Sequence, residues 1–176
     1  MHLNPYGADA VNLAADLANR RPTGVEDLAD RCRAAGLTLE RAVGPDDLDR
    51  TLAAVDAWER VVDAAPGRER AERLNRMLAQ ASAHPRLTDH ADSGWHLHYR
   101  DEQQPLGAVL FSLFAVGTAL HLAGRGMDRI GRCAVEECTV IFADTSRTGR
   151  RRYCSQRCAN RDAVRRHRAR GAPAQV

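Results

Sequence analysis

The chain has 176 residues and nearly balanced charge, 26 cations against 23 acids for a net +3, and none of the cations is a lysine. That length suits one domain with a real core plus a small module. No P-loop, Gly-rich dinucleotide motif, Ser-His-Asp set or paired-carboxylate signature is present, which argues against an enzyme. Exclusive use of arginine fits a GC-rich bacterial genome.

Residues 8–19 place Val11, Ala14, Ala15 and Ala18 on one helical face. Residues 25–35 read as a second helix ending at Gly36, a suitable C′ residue. Cys32 lies inside it and reads as a small buried hydrophobe. Residues 45–64 open with Pro45, Asp46 and Asp47, which favour a helix N-terminus. Leu48, Leu52, Val55, Trp58 and Val62 then recur at three- and four-residue steps. A fourth helix is expected over 67–82, with Leu74, Met77 and Leu78 as its buried stripe. Residues 84–100 read as a hairpin around the polar turn ADSG. There Trp95, Leu97 and Tyr99 share one face, and His96 and His98 the other. Such paired histidines, with His90 opposite, can bind metal, but solvent-facing strand histidines are the commoner case.

Residues 106–123 form the most apolar segment. Eighteen residues sit at the lower limit for a membrane span. Gly107, Ser112, Gly117, Thr118 and His121, together with its position in the chain, favour a central core helix instead. The small residues Gly107, Ala108, Ala115 and Gly117 would let neighbouring helices approach closely. The N-terminal stretch MHLNPYGADAVN has no basic n-region and no apolar h-region, so a cytoplasmic protein without a membrane anchor is expected. Internal repeats and low-complexity segments are absent, and the tail GAPAQV reads as frayed.

Cys133, Cys138, Cys154 and Cys158 carry the strongest signal. They read C-x4-C, fifteen residues, then C-x3-C. Structural zinc prefers four thiolate or imidazole ligands in a closed tetrahedron. Disulfides suit oxidising compartments, and the strand–Cys-x-x-Cys–helix context of a redox relay is missing. The segment RCAVEEC suits a knuckle turn. Val140, Ile141 and Phe142 are strand formers and RRRYC reads as a return strand, so a hairpin over 139–153 is expected. From Ser155 onward no Gly or Pro occurs until Gly171, which suits a helix carrying the second cysteine pair on its first turn. Knuckle, hairpin and helix in that order is a treble-clef layout.

Charge is unevenly spread. Residues 131–170 hold eleven arginines against four acids, whereas residues 1–130 hold fifteen against nineteen. A zinc–tetrathiolate centre is itself negative, so Arg132, Arg152 and Arg157 have a local partner in it. The surplus exceeds what that centre needs. Arg157, Arg161, Arg165 and Arg168 follow helical spacing, Arg166 and Arg170 extend them, and Arg150 and Arg151 rim the expected hairpin. A basic helix on a small rigid scaffold is the footprint of a nucleic-acid binder. Arginine grips phosphates bidentately and reads guanine in the major groove. Asn160 is a candidate adenine reader or a brace of the finger. Duplex DNA is favoured over RNA because only Phe142 and Tyr153 are aromatic here. The competing readings are a solvated face, an adaptor for an acidic protein, and an RNA-binding module.

The run CAVEECTVIFADTSRTGRRRYCSQRCANRDAVRRHRAR resembles the CGNR zinc finger. The name-giving tetrad is Cys158-Ala159-Asn160-Arg161 here, with alanine in place of glycine and C-x3-C where many members have C-x4-C. Upstream, Val11–Ala14, the PRL at 85–87, the HLH at 96–98 and the apolar helix resemble the ABATE domain, described as a stress-induced transcription regulator. The resemblance implies an α+β, mostly helical chain. An ABATE-like regulatory or oligomerisation domain would occupy 1–128, a treble-clef-like finger 129–171 and a tail 172–176. It further implies one structural zinc on Cys133, Cys138, Cys154 and Cys158, and DNA contacts from Arg151, Arg157, Arg161, Arg165 and Arg168. Expected partners are duplex DNA and, beyond it, a second copy, the transcription machinery or a small-molecule effector.

Overall fold

The computed structural model describes residues 7–39, 41–81, 83–88, 95–99 and 104–171. Its centre is the apolar helix, which runs over Leu106–Arg125 and is packed on by three other helices. In chain order the elements are α1 (Ala8–Asn19), α2 (Val25–Ala34), α3 (Pro45–Val62), α4 (Arg68–Ala81), β1 (Arg86–Thr88), β2 (His96–His98), α5 (Leu106–Arg125), β3 (Ile130–Arg132), β4 (Ile141–Ala143) and α6 (Gln156–Gly171). The chain is therefore α+β and mostly helical, as expected. α5 is long and apolar enough to cross a membrane, but α1, α3 and α4 all pack on it.

Periodic apolar residues explain the packing. Val11, Ala14, Val55, Trp58, Leu74, Met77, Leu110 and Phe114 are all buried in one cluster. Trp58 donates its indole N–H to Thr118 Oγ1 at 2.8 Å, so the largest core side chain leaves no orphan polar atom. Small residues set how closely α5 is approached. A Cβ on Gly107 would stand 2.4 Å from the Cβ of Arg50 on α3. One on Gly7, just before α1, would stand 2.0 Å from the carbonyl oxygen of Gly117. The Asp47 carboxylate accepts from the amides of Gly44 (3.1 Å) and Gly107 (3.3 Å), joining the starts of α3 and α5, where helix dipoles favour an anion.

The first hairpin forms as read, with β1 and β2 antiparallel and Leu87 opposite Leu97. Its turn and His90 lie outside the described residues. The second hairpin is a correction. No strand forms at 150–153; β4 pairs instead with β3, which precedes the first cysteine, in the register Ile130↔Ala143, Gly131↔Phe142 and Arg132↔Ile141. The knuckle is thus enclosed between the two strands. The reason lies in the other edge of β4. Asn19 of α1 accepts from Ile141 N–H at 2.7 Å and donates to Ile141 C=O at 2.8 Å. The Arg151 guanidinium reaches Ala143 C=O at 3.4 Å. With both edges of β4 occupied, residues 150–153 run as an irregular strap, held by a bond from Ala134 N–H to Arg152 C=O at 2.8 Å. Ile130, Ile141 and Ala143 are buried in the same core as the helices.

Candidate metal centre and the arginine helix

Two structural devices bring the four cysteines together. In the knuckle, Cys133 N–H bonds Val140 C=O and Cys138 N–H bonds Val135 C=O, each at 2.9 Å. At the start of α6, Ser155 Oγ accepts from Cys158 N–H at 3.3 Å, an N-cap that fixes the first turn. The four Sγ atoms then lie within 4.8 Å of one another. Three of the separations are 3.7 Å (Cys138–Cys154), 3.6 Å (Cys154–Cys158) and 3.9 Å (Cys138–Cys158). Thiolates about 2.3 Å from a tetrahedral zinc would stand about 3.8 Å apart. A disulfide would need about 2.05 Å, and all five cysteines are free thiols. The donor set therefore fits one zinc ion with all four positions filled by protein.

The thiols also differ in their protons. Burial would raise Cys133, but the backbone amides of Cys154 and Val135 outweigh it and bring the thiol down to about 7. Burial, reinforced by the neighbouring thiols, pushes Cys154 up to about 12. Four sulfurs this close cannot all ionise without a cation among them, and a divalent metal supplies that charge. Cys32 stands apart in α2, fully buried, with burial pushing its thiol up to about 11. The cysteine quartet is the only cluster of metal-ligating groups among the described residues.

The predicted nucleic-acid residues divide. Arg151, though exposed, folds back on the finger: its guanidinium stacks 4.7 Å from the Phe142 ring centroid and donates to the carbonyls of Tyr153 (3.1 Å) and Cys154 (2.6 Å). It braces the strap that carries the third cysteine. Arg157, Arg161 and Arg168 share an exposed stripe of α6 with Val164 between them, while Arg165 lies beside it. Arg161 pairs with Glu137 at 3.6 Å. Arg165 pairs with Glu136 at 3.4 Å and with Asp162 at 3.0 Å. Arg157 and Arg168 have no partner among the described residues. Asn160 Oδ1 accepts from Gln156 Nε2 at 2.8 Å and lines a shallow hollow of about 450 Å³ with Arg161, Val164, Arg165 and Arg168. The opposite face of α6 is anchored by Asp162, which accepts from the Tyr153 hydroxyl at 2.6 Å and from Arg166 at 2.9 Å. The Tyr153 hydrogen bond, with Arg165 and Arg166 nearby, holds the Asp162 carboxyl below its ordinary range.

Three further residues tie the finger to the helices, and none was singled out from sequence for that role. Arg132, expected to serve the zinc centre, instead makes a two-pronged pair with Asp63 at 2.6 and 2.9 Å and approaches Glu59 at 3.6 Å. Arg70 is buried and donates to the carbonyls of Val62 (2.8 Å), Ala64 (2.9 Å), Ile130 (3.1 Å) and Met127. Asn19 holds β4, as described above. Sequence offers no signal for Arg70, because arginine is ordinarily read as exposed.

Two family models match the chain. One, described as ABATE, "putative stress-induced transcription regulator", covers residues 11–129, and the CGNR zinc finger covers residues 129–171. A comparison with curated proteins finds no match.

Proposed function

Because the chain belongs to the ABATE family and ends in a CGNR zinc finger, we propose that it is a zinc-dependent transcription regulator that grips duplex DNA with α6. Cys133, Cys138, Cys154 and Cys158 hold the ion. With four protein ligands the zinc has no open position for chemistry, and its contribution is the folding free energy of the finger. Reducing conditions in a bacterial cytoplasm keep the thiols available for it.

The observation that carries the reading is the exposed cationic stripe on α6, a rigid helix whose other face is anchored by Asp162 and the second cysteine pair. Arg157 and Arg168 meet phosphates first, since no described residue competes for them. Arg161 and Arg165 exchange the knuckle glutamates for DNA phosphates or base edges. Arg151 acts as the brace that sets the angle of α6. One helix gives a small footprint, so two copies on adjacent half-sites supply the remaining affinity.

The test is duplex binding measured against salt. Neutralising three or four phosphates gives a log–log slope of about −2.7 to −3.6. Arg157→Ala with Arg168→Ala should lower affinity and flatten that slope while leaving the zinc content unchanged. An adaptor role has one observation in its favour: Arg161 and Arg165 already hold carboxylates, as an acidic protein partner would require. Absence of salt-dependent duplex binding by the zinc-loaded chain would leave that reading in its place.

A further inference from the structure

The helical domain contains a cleft of about 480 Å³ between α3, the end of α4 and the start of α5. Its floor is made of small residues from three segments, among them Ala54 and Ala57 of α3, Ala81 of α4 and Gly107 of α5. Phe111 supplies an aromatic wall. Gly107 cannot grow without striking Arg50, so the floor is held low where α5 meets α3.

The mouth is cationic. Arg50 and Arg60 both line it. Ten residues of α3 separate them, about 15 Å of helix, a distance that two long side chains folding toward each other can close. Neither has an ion pair or hydrogen bond among the described residues. Arg21, Arg31, Arg33, Arg70 and Arg73 of the helical domain have partners, whereas Arg68 and Arg76 of α4, like Arg50 and Arg60, have none among the described residues; what sets Arg50 and Arg60 apart is that both line the cleft. The rim adds the carboxamides of Gln80 and Gln104, and no acid lines the cleft among the described residues. Among the described residues the lining therefore carries two positive charges and no negative one, which favours an anion at the mouth.

We propose that this cleft binds a small aromatic acid, its carboxylate held by Arg50 and Arg60 and its ring laid over the alanine floor against Phe111. Binding is a property of the helical domain and does not depend on what α6 contacts. The site is also placed to be felt by the finger. The same helix ends in Glu59 and Asp63, which hold Arg132 one residue before the first cysteine ligand.

The test uses the zinc-loaded full chain and the fluorescent aromatic anion 8-anilinonaphthalene-1-sulfonate. Saturable binding of one probe per chain is expected, weakening as salt rises. Arg50→Gln with Arg60→Gln removes two exposed groups that have no partner among the described residues, without touching the core, and should weaken binding roughly ten-fold or more, the scale of a lost charge-assisted contact. Ala57→Phe fills the floor and should abolish binding; should it fail to fold, the arginine pair alone decides. Arg33→Gln, on α2, should bind like the parent. The uncharged analogue N-phenyl-1-naphthylamine should bind the parent no better than it binds the double variant. Equal binding by parent and double variant, tighter binding of the uncharged analogue, or no saturable site would each overturn the proposal.

Discussion

Replacing Arg70 by methionine tests how the finger is joined to the helices. Arg70 lies buried at the start of α4 and donates to four carbonyls, two at the end of α3 and two in the segment leading into β3. Burial lowers its proton affinity, opposed by Asp128 and Asp63, yet the group stays charged. Methionine keeps most of the volume and removes every donor. Each buried acceptor left without a partner costs about 1–3 kcal/mol, offset in part by no longer desolvating a cation. A net loss of about 3–4 kcal/mol follows, in line with breaking other buried charged contacts. For a chain of this size that is a fall in melting temperature of roughly 6–16 °C. Circular dichroism melts at fixed excess zinc measure it, with Arg73→Met as the control, because Arg73 pairs with Glu69 at the surface and should shift the melt by less than about 0.5 kcal/mol. A shift for Arg70→Met no larger than the control would refute the view that this side chain fastens the two parts together.

Cys158→Ser should take bound zinc from one ion per chain to none by elemental analysis and disorder the finger, since such ions supply about 10–16 kcal/mol of apparent folding free energy; Cys32→Ser should keep the full metal content. Asp144 is buried, which alone raises its carboxyl, but hydrogen bonds from Ser146 and the Arg151 amide, with Arg129 beside it, hold it below the ordinary range. Its folded-state value is depressed, so its contribution is complete above about pH 3.9 and disappears as pH falls through the folded value. Asp144→Asn should therefore be less stable than the parent at neutral pH, and the gap should narrow in acid; a gap independent of pH would count against this assignment. Glu136→Gln with Glu137→Gln frees Arg161 and leaves Arg165 with Asp162 alone, removing exposed pairs worth about 0–1 kcal/mol each. Duplex affinity should rise about two- to ten-fold, and a fall would contradict the proposed role of α6.

Much of this was legible because helical periodicity is a local signal. The helix expected over 8–19 matches α1, and those expected over 25–35, 45–64 and 67–82 end within two residues of α2, α3 and α4. The cysteine quartet was legible because metal geometry imposes close spacing within each pair. The second hairpin was not, because the competitor for the edge of β4 is a side chain 122 residues away. Propensity in RRRYC carries no trace of that contact. Charge alone groups Arg151 with the other arginines of the finger; only the return of the chain, closed by the Arg151 amide on Asp144, lets its side chain reach the last strand carbonyl and the Phe142 ring. Arg70 and Arg132 escaped for the same reason: the carbonyls and carboxylates they hold are assembled only by the fold.

Asn19 ties the finger's strand to the first helix. A single carboxamide in the first helix mimics the backbone of a missing strand, and Ile141 accepts it as one. A cut at the junction near residue 129 would strip β4 of that imitation and bare Ile130, Ile141 and Ala143 to water. Such a finger does not travel as a cassette: a chimera that transplants it into another host needs the docking helix to come along.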